Sequence, residues 1–413
     1  MTSPIQDFPI AIIGAGPGGL FTSMWLSKFG LKHVLLEGNS FPRDKSCGDV
    51  LPSIVLRSLN ELDASLIPRM MEDGLLSPLS GTQFYNPKNS SVTVKYKGIE
   101  GLEDDAACYS VRRAEFDSFL LDHVRKSEFT TVYSNTFIRD LKAQDEGYIL
   151  EGTQTSYSAK LIIVAAGSTS SIPQKLGMPK PENKHFALGI RAYFKGVHCE
   201  SDQPELYFDK SVFPGGVYIT PLSKGLYNVN LVIKKDAAIR YNITLEERFY
   251  ALLECNSVLK EKFKDATLVH PFRGAGLYLG TKNRTVCGKG FMLVGDSAGL
   301  IDLLSANGIP QASMSAKLAA LKAKECFEQN NFSADFMHDY QEKLHKRVKG
   351  YLALGKLINP IASSRLFQFA FLHFIRLISG KPRINTLLQA LAYKKNPVIA
   401  LVNPFFYFSL RKQ

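Results

Sequence analysis

The chain has 413 residues, 45% of them apolar and 21% charged, which is length for two or three domains and excludes a disordered or fibrous protein. Its formal charge of +12 is unevenly spread: residues 343–413 hold 13 Lys/Arg and no Asp or Glu, leaving 37 basic against 38 acidic residues in 1–342. A near-neutral body with a basic end is not a whole-surface nucleic-acid binder.

The six cysteines are scattered, with no CxxC and no metal-type cluster, so no metal site is expected and the chain reads as reduced and intracellular. No basic leader precedes an apolar stretch, so no signal peptide is expected. No run reaches the roughly 18 apolar residues of a spanning helix. The longest candidates, 366–378 and 398–410, are short and interrupted by polar residues or proline.

In chain order, Pro9–Ile13 is a short apolar run and predicts a buried parallel strand. Gly14-Ala15-Gly16-Pro17-Gly18-Gly19 follows, then a helical stretch over Leu20–Phe29 ended by Gly30. His33–Leu36 predicts a second strand, closed by Glu37 and Gly38. Each part has a mechanical role in dinucleotide binding. Gly14 permits the tight turn, Gly16 lets backbone approach a pyrophosphate, and Gly19 lets helix and strand pack closely. The helix N-terminus presents free N–H groups to phosphate. Glu37 stands where an acid grips ribose hydroxyls, which favours FAD or NAD over a phosphorylated ribose. Downstream, Gly274-Ala275-Gly276 and Gly280 imitate this fingerprint, but His270, Pro271 and Arg273 precede them. They predict a turn between strands, leaving one nucleotide fold.

Phe291–Val294 predicts another strand, running into Gly295-Asp296-Ser297-Ala298-Gly299. A carboxylate at that strand end can accept from a ribityl hydroxyl. Gly308-Ile309-Pro310 then opens a long helix over about 311–328, with Pro310 suited to the first turn. Such a helix start aims positive potential at an anionic group, as the pyrimidine edge of a reduced flavin is.

GAGPGG with Glu37, Pro42-Arg43-Asp44-Lys45-Ser46-Cys47-Gly48, Arg113-Ala114-Glu115-Phe116-Asp117, Ala165-Ala166-Gly167 and the GDSAG segment with its Asn307-Gly308-Ile309 turn together resemble the geranylgeranyl reductase family. These are flavoproteins of the p-hydroxybenzoate hydroxylase fold. The resemblance covers about residues 8–330, and the PRxKxCG segment is its most specific part. It implies an α/β chain: a Rossmann-like FAD-binding domain with an inserted β-sheet substrate domain and a C-terminal helical region. The implied division is 1–80, 105–174 and 286–335 for the FAD-binding domain, 81–104 and 175–285 for the substrate domain, and 336–413 for the helical region. It implies that Gly14, Gly16, Gly18, Gly19, Glu37 and Gly38 hold the adenosine and pyrophosphate end. Arg43, Arg113, Ala166, Gly167, Gly295 and Asp296 would lie along the FAD, while Lys45, Cys47, Gly48 and the Gly308–Ile309 backbone would fall at the isoalloxazine. Cys47 is either a small buried hydrophobe or a group acting at the flavin, and the adjacent Lys45 predicts a lowered thiol pKa.

The chain also departs from the family. The aromatic YxWxFP-type segment corresponds to Gly215–Pro221, of which Tyr218 and Pro221 keep the character. Ala166 stands where hydroxylases of this fold carry an Asp that helps bind FAD and NADPH. Leu303–Ile309 replaces a Pro-x-x-Gly-Glu-Gly-Ile turn. Halogenases of the fold use a WxWxIP motif, whereas this chain has the single Trp25.

Residues 343–413 interleave aromatics with cations, and Pro360, Pro382, Pro397 and Pro404 cut them into short pieces. This predicts interfacial helices docking on an anionic membrane, against the plainer reading of helices packed on the body. The expected function is an FAD-dependent reductase of carbon–carbon double bonds in a lipid, with Cys47 and Tyr218 as candidate proton donors. The expected electron source is NADPH or another donor. The expected partners are a hydrophobic or lipid substrate and a membrane surface, without nucleic acid, and the expected location is the cytoplasmic inner face. The alternatives are a flavin monooxygenase of a phenolic, quinone or polyene substrate and a non-catalytic flavin-bound lipid carrier.

Overall fold

The computed structural model describes residues 5–96, 108–200, 202–213, 215–280, 282–302, 306–358, and single residues 364 and 366. Within these, sheets of eight, seven and three strands form.

The eight-stranded sheet is built on Gln6–Ile13 (β1), whose last four residues are all buried. It pairs in parallel with His33–Leu36 (β2) on one side and Ser156–Val164 on the other. Thr130–Tyr133 and Phe291–Leu293 extend the parallel core outward. Near-continuous apolar runs such as PIAII, HVLL and LIIV suit strands covered on both faces. Helix α1, Pro17–Lys28, is buried from Gly18 to Leu26 and packs against α3, Ile309–Glu328. Small residues permit that approach: Gly18 faces Ala312 across the helix pair. Helix α2, Arg113–Val124, lies against α1 and buries Phe116, Leu120, Leu121 and Val124.

The seven-stranded sheet has the spatial order Thr267–Tyr278 (β6), Phe186–Lys195 (β3), Leu226–Lys234 (β5), Gly215–Pro221 (β4), Glu205–Tyr207, Gly81–Tyr85, Ser91–Lys95. Strand alternation gives it two unlike faces. Phe194, Val217, Ile219, Val229 and Leu231 point to one side and form a core with Phe249 and Phe263 beneath two helices. Arg191, Tyr193, Thr220, Asn228 and Asn230 alternate with them and are also buried. Register aligns Arg191 with Asn230 and Tyr193 with Asn228, so these polar residues form adjacent rows. This sheet draws on residues 81–95 and 186–278; the part of the expected 81–104 segment beyond Tyr96 lies outside the described residues.

The predicted turn at Gly274-Ala275-Gly276 is corrected. These residues lie inside β6, paired with Ile190, Gly189 and Leu188. Strand β6 is at the sheet edge, where Pro271 and glycines are tolerated because one side of the strand has no ladder partner.

Helix α4, Ala334–Ile358, carries the start of the basic segment. Met337, Tyr340, Leu344 and Val348 fall on one helical stripe and are buried in the nucleotide body's core. Residues 343–348 therefore follow the packed-helix reading. The remaining pieces predicted for the tail, including 366–378 and 398–410, lie outside the described residues apart from Ser364 and Leu366. Among the described residues, no helix is long and apolar enough to cross a membrane.

Candidate active site

The glycine turn follows directly from the strand before it. Gly14 has φ +100°, and a Cβ there would stand 2.6 Å from the Ala165 carbonyl oxygen. A Cβ on Gly19 would stand 1.8 Å from the Gly14 oxygen. Gly16 and Gly18 meet no such obstacle: their nearest neighbours are the Arg43 guanidinium at 3.5 Å and the Val294 side chain at 3.4 Å. No side chain caps the α1 N-terminus, so its first N–H groups are available to an anion.

Glu37 is buried at the end of β2. One of its oxygens accepts from the Ala15 N–H at 2.7 Å, and the other accepts from the Asn39 backbone and side chain at 3.0 Å each. The acid thus ties the glycine turn to β2. Gly38 follows, against Phe137. Arg43 stacks on Phe41 at 4.9 Å and reaches Glu37 at 3.7 Å and Asp117 at 3.5 Å. Its Nη2 lies beside Gly16, while its buried Nε, without a hydrogen-bond partner among the described residues, faces Glu37. A guanidinium over a bare backbone, next to an uncapped helix start, fits a pyrophosphate. Gly167, at the end of Ser156–Val164, has φ +84° with no atom within 4 Å of a built Cβ, so this side of the cradle is open too. Ala166 precedes it, and the Gly167 carbonyl accepts from Ser297 at 3.3 Å. The residues present fit a bound FAD along this line.

The second glycine motif is drawn tightly together. The Gly295 N–H donates to Ser315 at 3.0 Å. A Cβ on Gly308 would stand 2.5 Å from Asp296 Oδ1, so the turn before α3 rests on that carboxylate. Asp296 is pushed up by burial, with Lys45 and Arg113 pulling it back down. The Ile309 N–H is taken by the Asn307 side chain at 3.1 Å, so the NGI turn caps itself there. Leu303, Leu304 and Ser305 lie outside the described residues.

Arg113 is buried, and its guanidinium forms two hydrogen bonds to Asp117, at 2.9 and 2.8 Å. Its remaining influence falls on Cys47. Cys47 is half-buried and Gly48 is open. The expectation that Lys45 lowers the thiol is overturned: burial pushes the Cys47 thiol up, and the cation that opposes this is Arg113. Tyr218 stands half-buried on β4, pushed up to about 12 by burial and by Asp302. Asp302 belongs to the segment after GDSAG, and register sets Tyr218 beside Asn230.

Sequence reasoning missed what holds this loop. Asp49, with φ +58°, accepts from Tyr193 Oη at 2.7 Å, Asn228 Nδ2 at 2.6 Å and the Arg113 backbone at 3.2 Å. Asn228 also donates to the Cys47 carbonyl at 2.8 Å. Arg191 lies fully buried, stacked 4.1 Å from Tyr193, and pairs with Asp44, which also meets Arg273 at 2.9 Å. The available signal was the pair Asn228 and Asn230 in an otherwise apolar strand, which puts two amides on one face. The groove lined by Asp7, Phe8, Tyr148, Lys160 and Phe327 contains none of these residues. No group of His, Cys, Asp and Glu that could hold a metal occurs among the described residues.

With this geometry established, similar proteins can be placed. The chain is 22% identical over 372 residues to a 1H-pyrrole-2-carbonyl-(peptidyl-carrier protein) chlorinase of Pseudomonas fluorescens, covering 84% of this chain and 82% of that protein. It is 26% identical over 377 residues to the digeranylgeranylglycerophospholipid reductase of Methanocaldococcus jannaschii, covering 88% and 90%. A solved geranylgeranyl bacteriochlorophyll reductase-like protein of Thermoplasma acidophilum superposes with a TM-score of 0.80 at 19% identity, over 99% of this chain and 100% of that one. The fold is shared, and the resemblance to geranylgeranyl reductases stands. Residues 7–276 match the family described as FAD binding domain, and the chain belongs to that family of FAD-dependent oxidoreductases.

Proposed function

We propose that the protein is an FAD-dependent reductase of carbon–carbon double bonds in a hydrophobic isoprenoid or polyene substrate, working at a membrane surface. One observation carries the reading. Cys47, with a thiol kept protonated by burial, sits beside the open backbone of Gly48 on a loop that meets Asp296 and Arg113 of the nucleotide body. Bound FAD would supply the hydride, recharged by NADPH or another carrier. The chain's own residues supply position and a proton. Glu37 and Arg43 fix one end of the cofactor site, and Lys45 and Asp296 fix the other. Cys47 Sγ is the favoured proton donor. Tyr218 is the second candidate, and burial with Asp302 makes its phenol a weaker acid than usual.

The similarity to digeranylgeranylglycerophospholipid reductases supports the substrate class. The similarity to a chlorinase is nearly as extensive, and it favours one alternative, an oxygen-using flavin monooxygenase. Trp25 is buried in α1, so this chain offers no WxWxIP segment for halogenation. An anaerobic assay separates the readings. Reduced flavin in the purified protein should reoxidise when a polyprenyl lipid is added without dioxygen, and the lipid should gain two hydrogens. Turnover that requires dioxygen and adds one oxygen would establish the monooxygenase instead. If no lipid changes either rate, the protein is a flavin-bound carrier.

The membrane part of the proposal rests on the charge of residues 343–413. Because α4 is packed, the docking cations are those beyond 358: Arg365, Arg376, Lys381, Arg383, Lys394, Lys395, Arg411 and Lys412. At about 1 kcal/mol per cation near an anionic surface, several suffice for salt-sensitive binding. The protein should sediment with phosphatidylserine-containing vesicles at low salt and be released at high salt. Equal recovery in the supernatant with and without vesicles removes the membrane from the proposal.

A further inference from the structure

Asp49 is wholly buried two residues beyond Cys47, in a left-handed conformation that an aspartate tolerates only at some cost. What holds it there comes from three directions. Its Oδ2 accepts from Tyr193 on β3 and Asn228 on β5, and its Oδ1 from the Arg113 N–H at the start of α2. Its own backbone N–H donates to Cys47 Sγ at 3.4 Å, and its carbonyl accepts from the Val111 N–H at 2.9 Å. The carboxylate fastens the nucleotide body and the polar face of the second sheet together beside the Lys45–Gly48 loop.

We propose that Asp49 is the positioning residue for Cys47: it clamps the loop that carries the thiol, and its charge sets how readily that thiol reacts. Two opposite charges act on the same sulfur. The Arg113 guanidinium favours the thiolate and the Asp49 carboxylate disfavours it. The other charged and titratable groups facing the pair are Asp117, which holds Arg113, and Tyr193 and Arg191 on β3, with Arg112 over the far side of the Tyr193 ring at 5.1 Å. Asn228 is neutral. Burial pushes the Asp49 carboxyl up to about 6, against the hydrogen bonds from Tyr193 and Asn228 and the charges of Arg191 and Arg113. Asp49 therefore changes charge near pH 6, and Cys47 responds. This goes beyond the proposed reaction and does not depend on whether the substrate is reduced or oxygenated.

The test is site-resolved alkylation of the full-length, FAD-loaded protein by iodoacetamide between pH 5.5 and 8.5, quantified on the Cys47 peptide. Exposed Cys255 serves as the internal reference, and buried Cys108 reports unfolding. Asp49→Asn removes the opposing anion. Each unit by which the thiol pKa falls raises the thiolate fraction about tenfold and lowers its nucleophilicity about threefold, for a net gain of about threefold well below the pKa. Cys47 in the variant should accordingly react faster at pH 7.5, and the wild-type inflection near pH 6 should vanish. Tyr193→Phe removes a hydrogen bond that stabilises the carboxylate, so its inflection should move to higher pH. A Cys47 profile in Asp49→Asn that matches wild type overturns the proposal. If Asp49→Asn exposes Cys108 and is unfolded, Tyr193→Phe decides, and an unshifted inflection there overturns it equally.

Discussion

The turn between β1 and α1 and the loop between Arg43 and Asp49 both serve one cofactor line, yet they are specified in opposite ways. In the first, the constraint is backbone against backbone. A Cβ on Gly19 would strike the Gly14 oxygen five residues earlier, and Gly14, at φ +100°, lies against the Ala165 carbonyl just past the adjoining Ser156–Val164 strand. In the second, the constraint arrives from far along the chain: Asp49 is held by Tyr193 and Asn228, 144 and 179 residues away. A region fixed by its own backbone can be read from its sequence. A region fixed by convergence of distant side chains becomes visible when the fold is known. It is also the region where function can be tuned, because several residues can change its electrostatics without breaking a turn.

The sharpest way to break that contrast is inside the glycine motif itself. Gly19→Ala places a methyl group 1.8 Å from a backbone oxygen, which cannot move without dismantling the turn. It should destabilise the protein by about 3 kcal/mol or more and abolish flavin retention. Gly16→Ala meets only the end of the Arg43 side chain at 3.5 Å. Its loss of helix-cap preference and its gain from a stiffer unfolded chain offset to about zero. The fold should survive while FAD affinity falls about tenfold, because the methyl stands where the pyrophosphate approaches. Denaturant unfolding and flavin absorbance after gel filtration measure both. Equal destabilisation by the two variants would mean that Gly16 serves the turn and not the ligand.

The same contrast explains what was legible in advance. The strand–glycine–helix–strand–acid order of residues 9–37 was readable because each step is a short-range rule, and the helix expected over 311–328 is seen from Ile309 to Glu328. Gly274-Ala275-Gly276 was misread because glycine marks a turn in most contexts, and only sheet order reveals that β6 is an edge. Cys47 was assigned the wrong electrostatic neighbour because Lys45 is close in sequence, whereas Arg113 is close in space. The pairing of Arg113 with Asp117 was legible, because the Arg-x-x-x-Asp spacing puts the two one helical turn apart. Asp49 and Tyr193 carried no local pattern that distinguishes a buried polar cluster from a solvated face, and the one signal was the pair Asn228 and Asn230 in an apolar strand.

The two regions should also answer pH with opposite signs. In the nucleotide body, His33 on β2 is buried and hydrogen-bonded to Ser23 at 2.6 Å, and burial lowers it from 6.5 to about 4. The folded state there binds fewer protons than the unfolded one, so this contribution is complete above pH 6.5 and is lost as pH falls toward 4. Asp49 behaves in reverse. Its folded value of about 6 lies above the ordinary 3.8, so the folded state binds more protons and stability declines as pH rises from about 4 to 6. At about 1.4 kcal/mol per unit, each amounts to about 3 kcal/mol, and buried His185, also lowered to about 4, adds a second contribution with the sign of His33. Single variants uncover them. Asp49→Asn should leave the His33 slope exposed, so that stability rises with pH between 4 and 6. His33→Gln should leave the Asp49 slope opposed by His185, so that the curve flattens. Urea unfolding of both variants at half-unit steps reads the two slopes directly. Parallel curves would show that the loop and the nucleotide body share one electrostatic environment after all.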